Sequence, residues 1–194
     1  MVSNDKSSAA EIVSGTVAAN KEVGDGMSAK GRFHITCHDK DGNLKWEAET
    51  PNLVVNVGLQ DMNTQYFKGA TYSAAWYIGL YGAGATNNPA AGDTMASHAG
   101  WTEVVAYSNA TRPAASFGTA TTANPSVISN SASPSAFSIN GTSTVGGAFL
   151  CNNSTKSGTT GTLFSAGDFS APGDRSVVNG DTLNVTYTFN LTAV

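Results

Sequence analysis

Apolar and polar positions alternate most cleanly near the end of the chain. From Leu183 to Leu191 the apolar residues Leu183, Val185, Tyr187, Phe189 and Leu191 interleave with Asn184, Thr186, Thr188 and Asn190. A period of two, carried by β-branched and aromatic residues, predicts a strand buried on one face, and Asn179-Gly180-Asp181 supplies the turn before it. The same alternation marks a hairpin over residues 32–50. Arg32–Cys37 puts Phe33, Ile35 and Cys37 on one face, Asp39–Asn43 makes the turn, and Leu44–Thr50 returns with Leu44, Trp46 and Ala48 sharing a face. Gly42 meets the loop's need for a positive φ, the Asp side chains support the turn, and Pro51 ends the returning strand.

Between these the period changes once. Leu59, Met62 and Tyr66 or Phe67 recur at helical spacing, which predicts a single helix over about residues 56–67 with Asn56 as its cap. The preceding Asn52-Leu-Val-Val is apolar enough to be extended. From Tyr72 onward strands and loops alternate, with strands expected at 74–81, 102–107, 114–117, 126–130, 136–139, 144–151 and 162–169. The first of these is the most apolar and is expected near the centre of a sheet. Strands at this spacing, without alternating helices, predict an all-β chain folded as a jelly-roll-like β-sandwich. Strand order stays open.

Charge divides the chain in two. Only 12% of the 194 residues are charged, about half the usual fraction, and Ser, Thr, Asn, Ala and Gly take the place of the missing charges. Of the 24 charged residues, 14 fall within residues 1–50, and only Arg112 and Lys156 lie between Val104 and Gly167. Residues 1–30 lack a strong period and are expected to form an N-terminal arm that orders on a neighbouring subunit, with Ala9-Ala-Glu-Ile-Val-Ser as its apolar stretch. Residues 31–194 form the β body. The net charge of −4 and the absence of a Lys/Arg cluster argue against nucleic acid as a partner. No stretch approaches the roughly 20 apolar residues of a membrane span.

Candidate chemistry is sparse. Met1-Val-Ser-Asn-Asp-Lys has no secretion-signal pattern, so Cys37 and Cys151 are expected as free, buried thiols. His34 and His38 share the strand face opposite Phe33, and a metal there would need a further ligand such as Asp39 or Asp41; a solvated strand face is expected instead. Asp93, Ser97 and His98 carry the letters of a triad within one short loop, without a nucleophile elbow or oxyanion hole. His98 is therefore expected to anchor that loop through hydrogen bonds. Asp93 with Glu103 is the only pairing that suggests a carboxylate cleft. No phosphate loop, Rossmann fingerprint or internal repeat is present. The chain is expected to have no catalytic residue, no metal and no cofactor.

Several segments together carry a resemblance: Asn52-Leu-Val-Val-Asn-Val-Gly58, Trp76-Tyr-Ile-Gly-Leu80, Asp93-Thr-Met-Ala-Ser-His-Ala-Gly-Trp101, Ala110-Thr-Arg-Pro113, Gly146-Gly-Ala-Phe-Leu150 and Gly173-Asp-Arg-Ser-Val-Val-Asn-Gly-Asp-Thr-Leu-Asn-Val-Thr-Tyr-Thr-Phe. The set resembles tailed-bacteriophage virion proteins, covers most of residues 31–194 and leaves the arm outside. The resemblance implies a capsid cement or decoration protein, a homodimer or homotrimer seated between major capsid subunits on the outer surface of the phage head. It implies no catalytic residues. The alternative is a tail-associated fibre, baseplate or spike module that touches host glycans. A protein of this kind binds through a broad surface with aromatic and arginine anchors. Trp46, Tyr72, Tyr81, Tyr107 and Arg112 are the candidate anchors, with the arm as a clamp; Trp101 belongs to the same set, although it and Trp76 are expected in the core.

Overall fold

In the computed structural model, which describes residues 26–69, 75–82, 88–169 and 173–193, two antiparallel sheets pack face to face. In chain order the elements are β1 (Met27–His38), β2 (Leu44–Pro51), β3 (Leu53–Val54), α1 (Asn56–Phe67), β4 (Tyr77–Gly82), β5 (Glu103–Val104), β6 (Ser126–Ser129), β7 (Ser135–Ser138), β8 (Ser143–Cys151), β9 (Leu163–Asp168), β10 (Arg175–Val177) and β11 (Thr182–Ala193). The first sheet runs β2-β1-β11-β6, with β7 also on β11; the second runs β3-β9-β8-β4-β5, with β10 also on β8. The all-β sandwich with one short helix is the fold that the alternation predicts.

β11 organises the first sheet. It pairs along its whole length with β1, from Met27 opposite Ala193 to His38 opposite Thr182. Its other edge pairs with β7 at Thr182–Val185 and with β6 at Thr188–Leu191. Residues 27–30, expected in the arm, thus belong to the body, because the end of β11 gives their backbone a partner.

The two sheets bury differently, and this explains which strands alternate. Phe33, Ile35 and Cys37 of β1 and Leu183, Val185, Tyr187 and Phe189 of β11 face the second sheet, while their neighbours face outward. The second sheet is covered on both sides. Ile78, Leu80, Ala148, Leu150 and Phe164 meet the first sheet, whereas Tyr81, Phe149, Cys151, Leu163 and Ala166 pack beneath Met95 and Trp101. A strand buried on both faces needs apolar residues at every position, so β4, β8 and β9 read as continuous apolar runs.

Several local expectations are corrected. β4 pairs with β8 on one side and only with the two-residue β5 on the other, so β8 is the central strand. Residues 114–117 form no strand; a single bridge joins Ala114 to Tyr77, next to a proline that has no N–H to offer. β10, read from sequence as part of a turn-rich run, pairs with Ser143–Val145. The helix cap is Val55, in extended backbone with no side-chain capping bond, and Asn56 is already helical. The helix face agrees only in part. Met62 packs on the core, but Leu59, Tyr66 and Phe67 are exposed and Gly58 is the fully buried residue, because the helix lies so close to β9 that a Cβ at position 58 would strike the Phe164 carbonyl. Gly42, at φ +84°, fills the hairpin turn as expected.

Candidate functional surface

The buried charged side chains Glu103, Arg112 and Asp93 are tied into structural networks. Glu103, on β5, accepts from Arg112 Nε at 2.8 Å and Nη2 at 2.7 Å, and from the Ser157 backbone N–H at 2.6 Å. Arg112 also donates to the Asn153 and Gly158 carbonyls at 2.9 and 3.3 Å and is only 1% exposed. Lys156 donates to the Tyr107 carbonyl at 2.6 Å, and its ammonium lies 3.9 Å from the centre of the Tyr107 ring. The two lone cations of the long uncharged stretch thus converge on one cluster, which pins the 152–161 loop to β5. A lone charge in an apolar segment signals a buried partner, and that was the available clue to this pairing.

The Asp93–Trp101 loop closes over the outer face of the second sheet. Buried Asp93 accepts from Trp101 Nε1 and from the Ala90 N–H, both at 3.0 Å. His98 donates to the Trp101 carbonyl at 2.9 Å and stacks on the indole at 3.9 Å, 25° from parallel. His98 is the loop anchor that its position predicted. The candidate carboxylates Asp93 and Glu103 serve the indole and the guanidinium. A cavity of about 260 Å³ opens beside His98, Arg112 and Glu103, but among the described residues Glu103 is the one carboxylate in its lining, so the two do not form a paired-carboxylate cleft. Cys37 and Cys151 are free and buried. Burial, then Asp181, pushes the Cys37 thiol up to about 11, and burial raises Cys151 despite nearby Arg112. Both are held as thiols, not as the nucleophilic thiolate.

The candidate anchors fall in different places. Trp46 is half-buried, donates to the Ser176 carbonyl at 3.2 Å and meets Phe169 edge-on. Tyr81, Tyr107 and Arg112 are buried and give nothing to the surface of the single chain. Their aromatic or charged groups found partners inside: Tyr81 against Trp101, Tyr107 against Phe137, Arg112 on Glu103. Tyr72 and the arm through residue 25 lie outside the described residues. Of the two core tryptophans, Trp101 is buried; Trp76 is half-buried against Phe164.

Among the described residues, two surfaces bear on binding. The first is the outer face of the first sheet. At its centre β11 presents Asn184, Thr186, Thr188 and Asn190, flanked across the β6 and β7 pairings by Val127, Ser129, Ala136 and Ser138. None of these is charged. Charges begin on β1 and β2, where Arg32 pairs with Glu49 at 3.1 Å and His34 is bonded to Glu47 at 2.5 Å. His34 thus pairs with a carboxylate, and among the described residues no cluster of three or more His, Cys, Asp or Glu is placed to hold a metal. The second surface is an apolar groove of about 210 Å³ between the sheets beside α1, lined by Met62, Trp76, Phe117, Ile128, Phe164 and Phe189 among others. Next to it, at the end of α1, Tyr66 and Phe67 are 83% and 74% exposed and pack edge to face at 4.9 Å. The uncharged face of β11 is legible in the alternation, where Asn184, Thr186, Thr188 and Asn190 mark a candidate contact surface; the groove is not, since it is assembled from residues far apart in the chain.

A scan against protein-family models, a search of curated proteins and a search of solved structures each returned no match.

Proposed function

We propose that the protein is a structural component of a tailed-bacteriophage virion, a capsid cement or decoration protein that binds between major capsid subunits and stabilises the head. The observation that carries this reading is the uncharged strip of outer face along β11 and the β6 and β7 edge beside it. A surface facing only water gains from charge, whereas a surface that will be dehydrated against a partner is penalised for each unpaired charge it buries. Thr, Ser and Asn supply hydrogen bonds at a lower desolvation cost. Neighbouring copies of the protein, as a dimer or trimer, and the capsid subunits are the partners. The reading includes no enzymatic step, cofactor or metal.

The test is co-sedimentation of the protein with capsids that lack it, comparing the native chain with Thr186→Lys/Thr188→Lys. Two lysines placed in the centre of the face reduce binding at least tenfold while leaving the melting temperature within a few degrees. Unchanged binding by the folded double variant rejects this face as the contact.

A second reading, a tail-associated module that touches host glycans, is favoured by the exposed Tyr66–Phe67 pair, since sugars dock on accessible aromatic rings. Glycan binding lost on Tyr66→Ala/Phe67→Ala supports it.

A further inference from the structure

The sequence holds two Asn-Gly steps, Asn140-Gly141 and Asn179-Gly180. Such a step is chemically weak. Glycine has no Cβ to shield its amide nitrogen from the preceding asparagine side chain, and it permits the backbone rotation that brings the two together. A β-branched residue precedes each step, Ile139 and Val178, so the two would differ little as free peptides. The fold separates them. Asn179 and Gly180 are the central pair of a turn closed by the Asp181 N–H on the Val178 carbonyl at 3.1 Å, with Gly180 at φ +94°. The Gly180 N–H donates to the Ile139 carbonyl at 2.9 Å, and the Ile139 N–H donates to the Asp181 carbonyl at 2.8 Å. These bonds hold the second step in place, and they stop at Ile139, immediately before the first. Asn140 donates its own N–H to the Ala106 carbonyl at 3.1 Å, and β8 begins at Ser143. Between these points Asn140 is exposed, and among the described residues neither its side-chain amide nor the Gly141 N–H has a hydrogen-bond partner.

We propose that Asn140 is a site of spontaneous covalent modification, deamidating through a succinimide to isoaspartate and aspartate while Asn179 is protected. The Gly141 nitrogen gives its proton to water and bonds to Cγ of Asn140. The Cγ–Nδ2 bond breaks, and the leaving nitrogen takes up a proton and departs as ammonia. Water then opens the five-membered ring at either of its carbonyls. Asparagine and water are thus consumed, and ammonia and an isoaspartate or aspartate are formed, with no oxidant or reductant. At Gly141 the attacking nitrogen is free, so ring closure breaks no hydrogen bond of its own. At Gly180 the nitrogen must first leave the Ile139 carbonyl and the turn must open, which takes it out of attack geometry. The product adds a negative charge to a stretch whose only charges between Val104 and Gly167 are Arg112 and Lys156. The isoaspartate form also lengthens the main chain between Ile139, buried in the core, and β8. The site does not depend on the virion reading and is tested on the isolated protein.

Full-length protein is aged in mildly alkaline buffer, and both steps are followed by peptide mapping, with isoaspartate told from aspartate by electron-transfer fragmentation. Deamidation at Asn140 should run at least tenfold faster than at Asn179 and accelerate with pH, with isoaspartate the larger product. Gly141→Ala should slow it severalfold at unchanged melting temperature, since a Cβ there meets Ala106 Cβ at an ordinary 3.7 Å. In urea, where the hydrogen bonds of Ile139 are gone, the two steps should react at similar rates. An intact Asn140 in the aged folded chain, equal rates at the two steps in that chain, or a difference that persists in urea overturns the proposal.

Discussion

Arg112 is the most consequential single side chain in the body. Its guanidinium is 1% exposed and makes a two-point contact with Glu103 while holding two loop carbonyls. Removing it leaves a buried carboxylate facing an empty space, and breaking such a pair costs about 3–5 kcal/mol. Arg112→Ala should therefore lower the free energy of unfolding, measured by urea titration, by that amount. Arg112→Met combined with Glu103→Leu should recover most of the loss, since an apolar pair of similar volume carries no desolvation penalty. Cys37 makes a pH-dependent contribution. Its thiol is raised from an unfolded value near 9 to about 11, and Lys45, bonded to the same Asp181, is also raised. Both groups favour the fold while protonated. The contribution of Lys45 is complete below its ordinary 10.5 and is lost only above it; that of Cys37 is complete below about pH 9 and is lost as pH rises through about 11. Melting temperature should fall across that window, and Cys37→Ala should flatten the fall.

Among the elements, α1 departs furthest from ordinary expectation. A glycine inside a helix is normally replaced by alanine with a gain of about 1 kcal/mol. At Gly58 the sign reverses, because the new methyl group would meet the Phe164 carbonyl and push the helix off β9. Gly58→Ala should destabilise by more than 1 kcal/mol in chemical denaturation, an overpacking cost; a gain would mean that the helix docks elsewhere. The strands differ in how much of themselves they display in sequence. β1, β2 and β11 have one wet face, so their alternation was readable residue by residue. β4, β8 and β9 are buried on both faces, which leaves an apolar run that marks a strand but not its neighbours. β10 has three residues and α1 turns its most apolar side chains outward, so neither the periodicity of one nor the buried face of the other was written in the pattern. The Asp93–Trp101 loop was legible because His98 had no catalytic companions. The groove was not, since it joins α1 to β6, β8, β9 and β11.

At the scale of the whole molecule, the sandwich buries its Arg112–Glu103 pair, carries exposed ion pairs on β1 and β2, and among the described residues offers two passive surfaces. One is the uncharged strip of sheet face along β11, β6 and β7; the other is an apolar groove between the sheets beside α1. Binding between capsid subunits asks for such surfaces, because its free energy comes from broad dehydrated contact. The central claim is therefore one of location. Cryo-electron microscopy of intact particles carrying the protein should place its density on the outer surface of the head, between major capsid subunits, with the outer face of β11 against the shell. Density on the tail, or particles from which the protein is absent, would contradict the account.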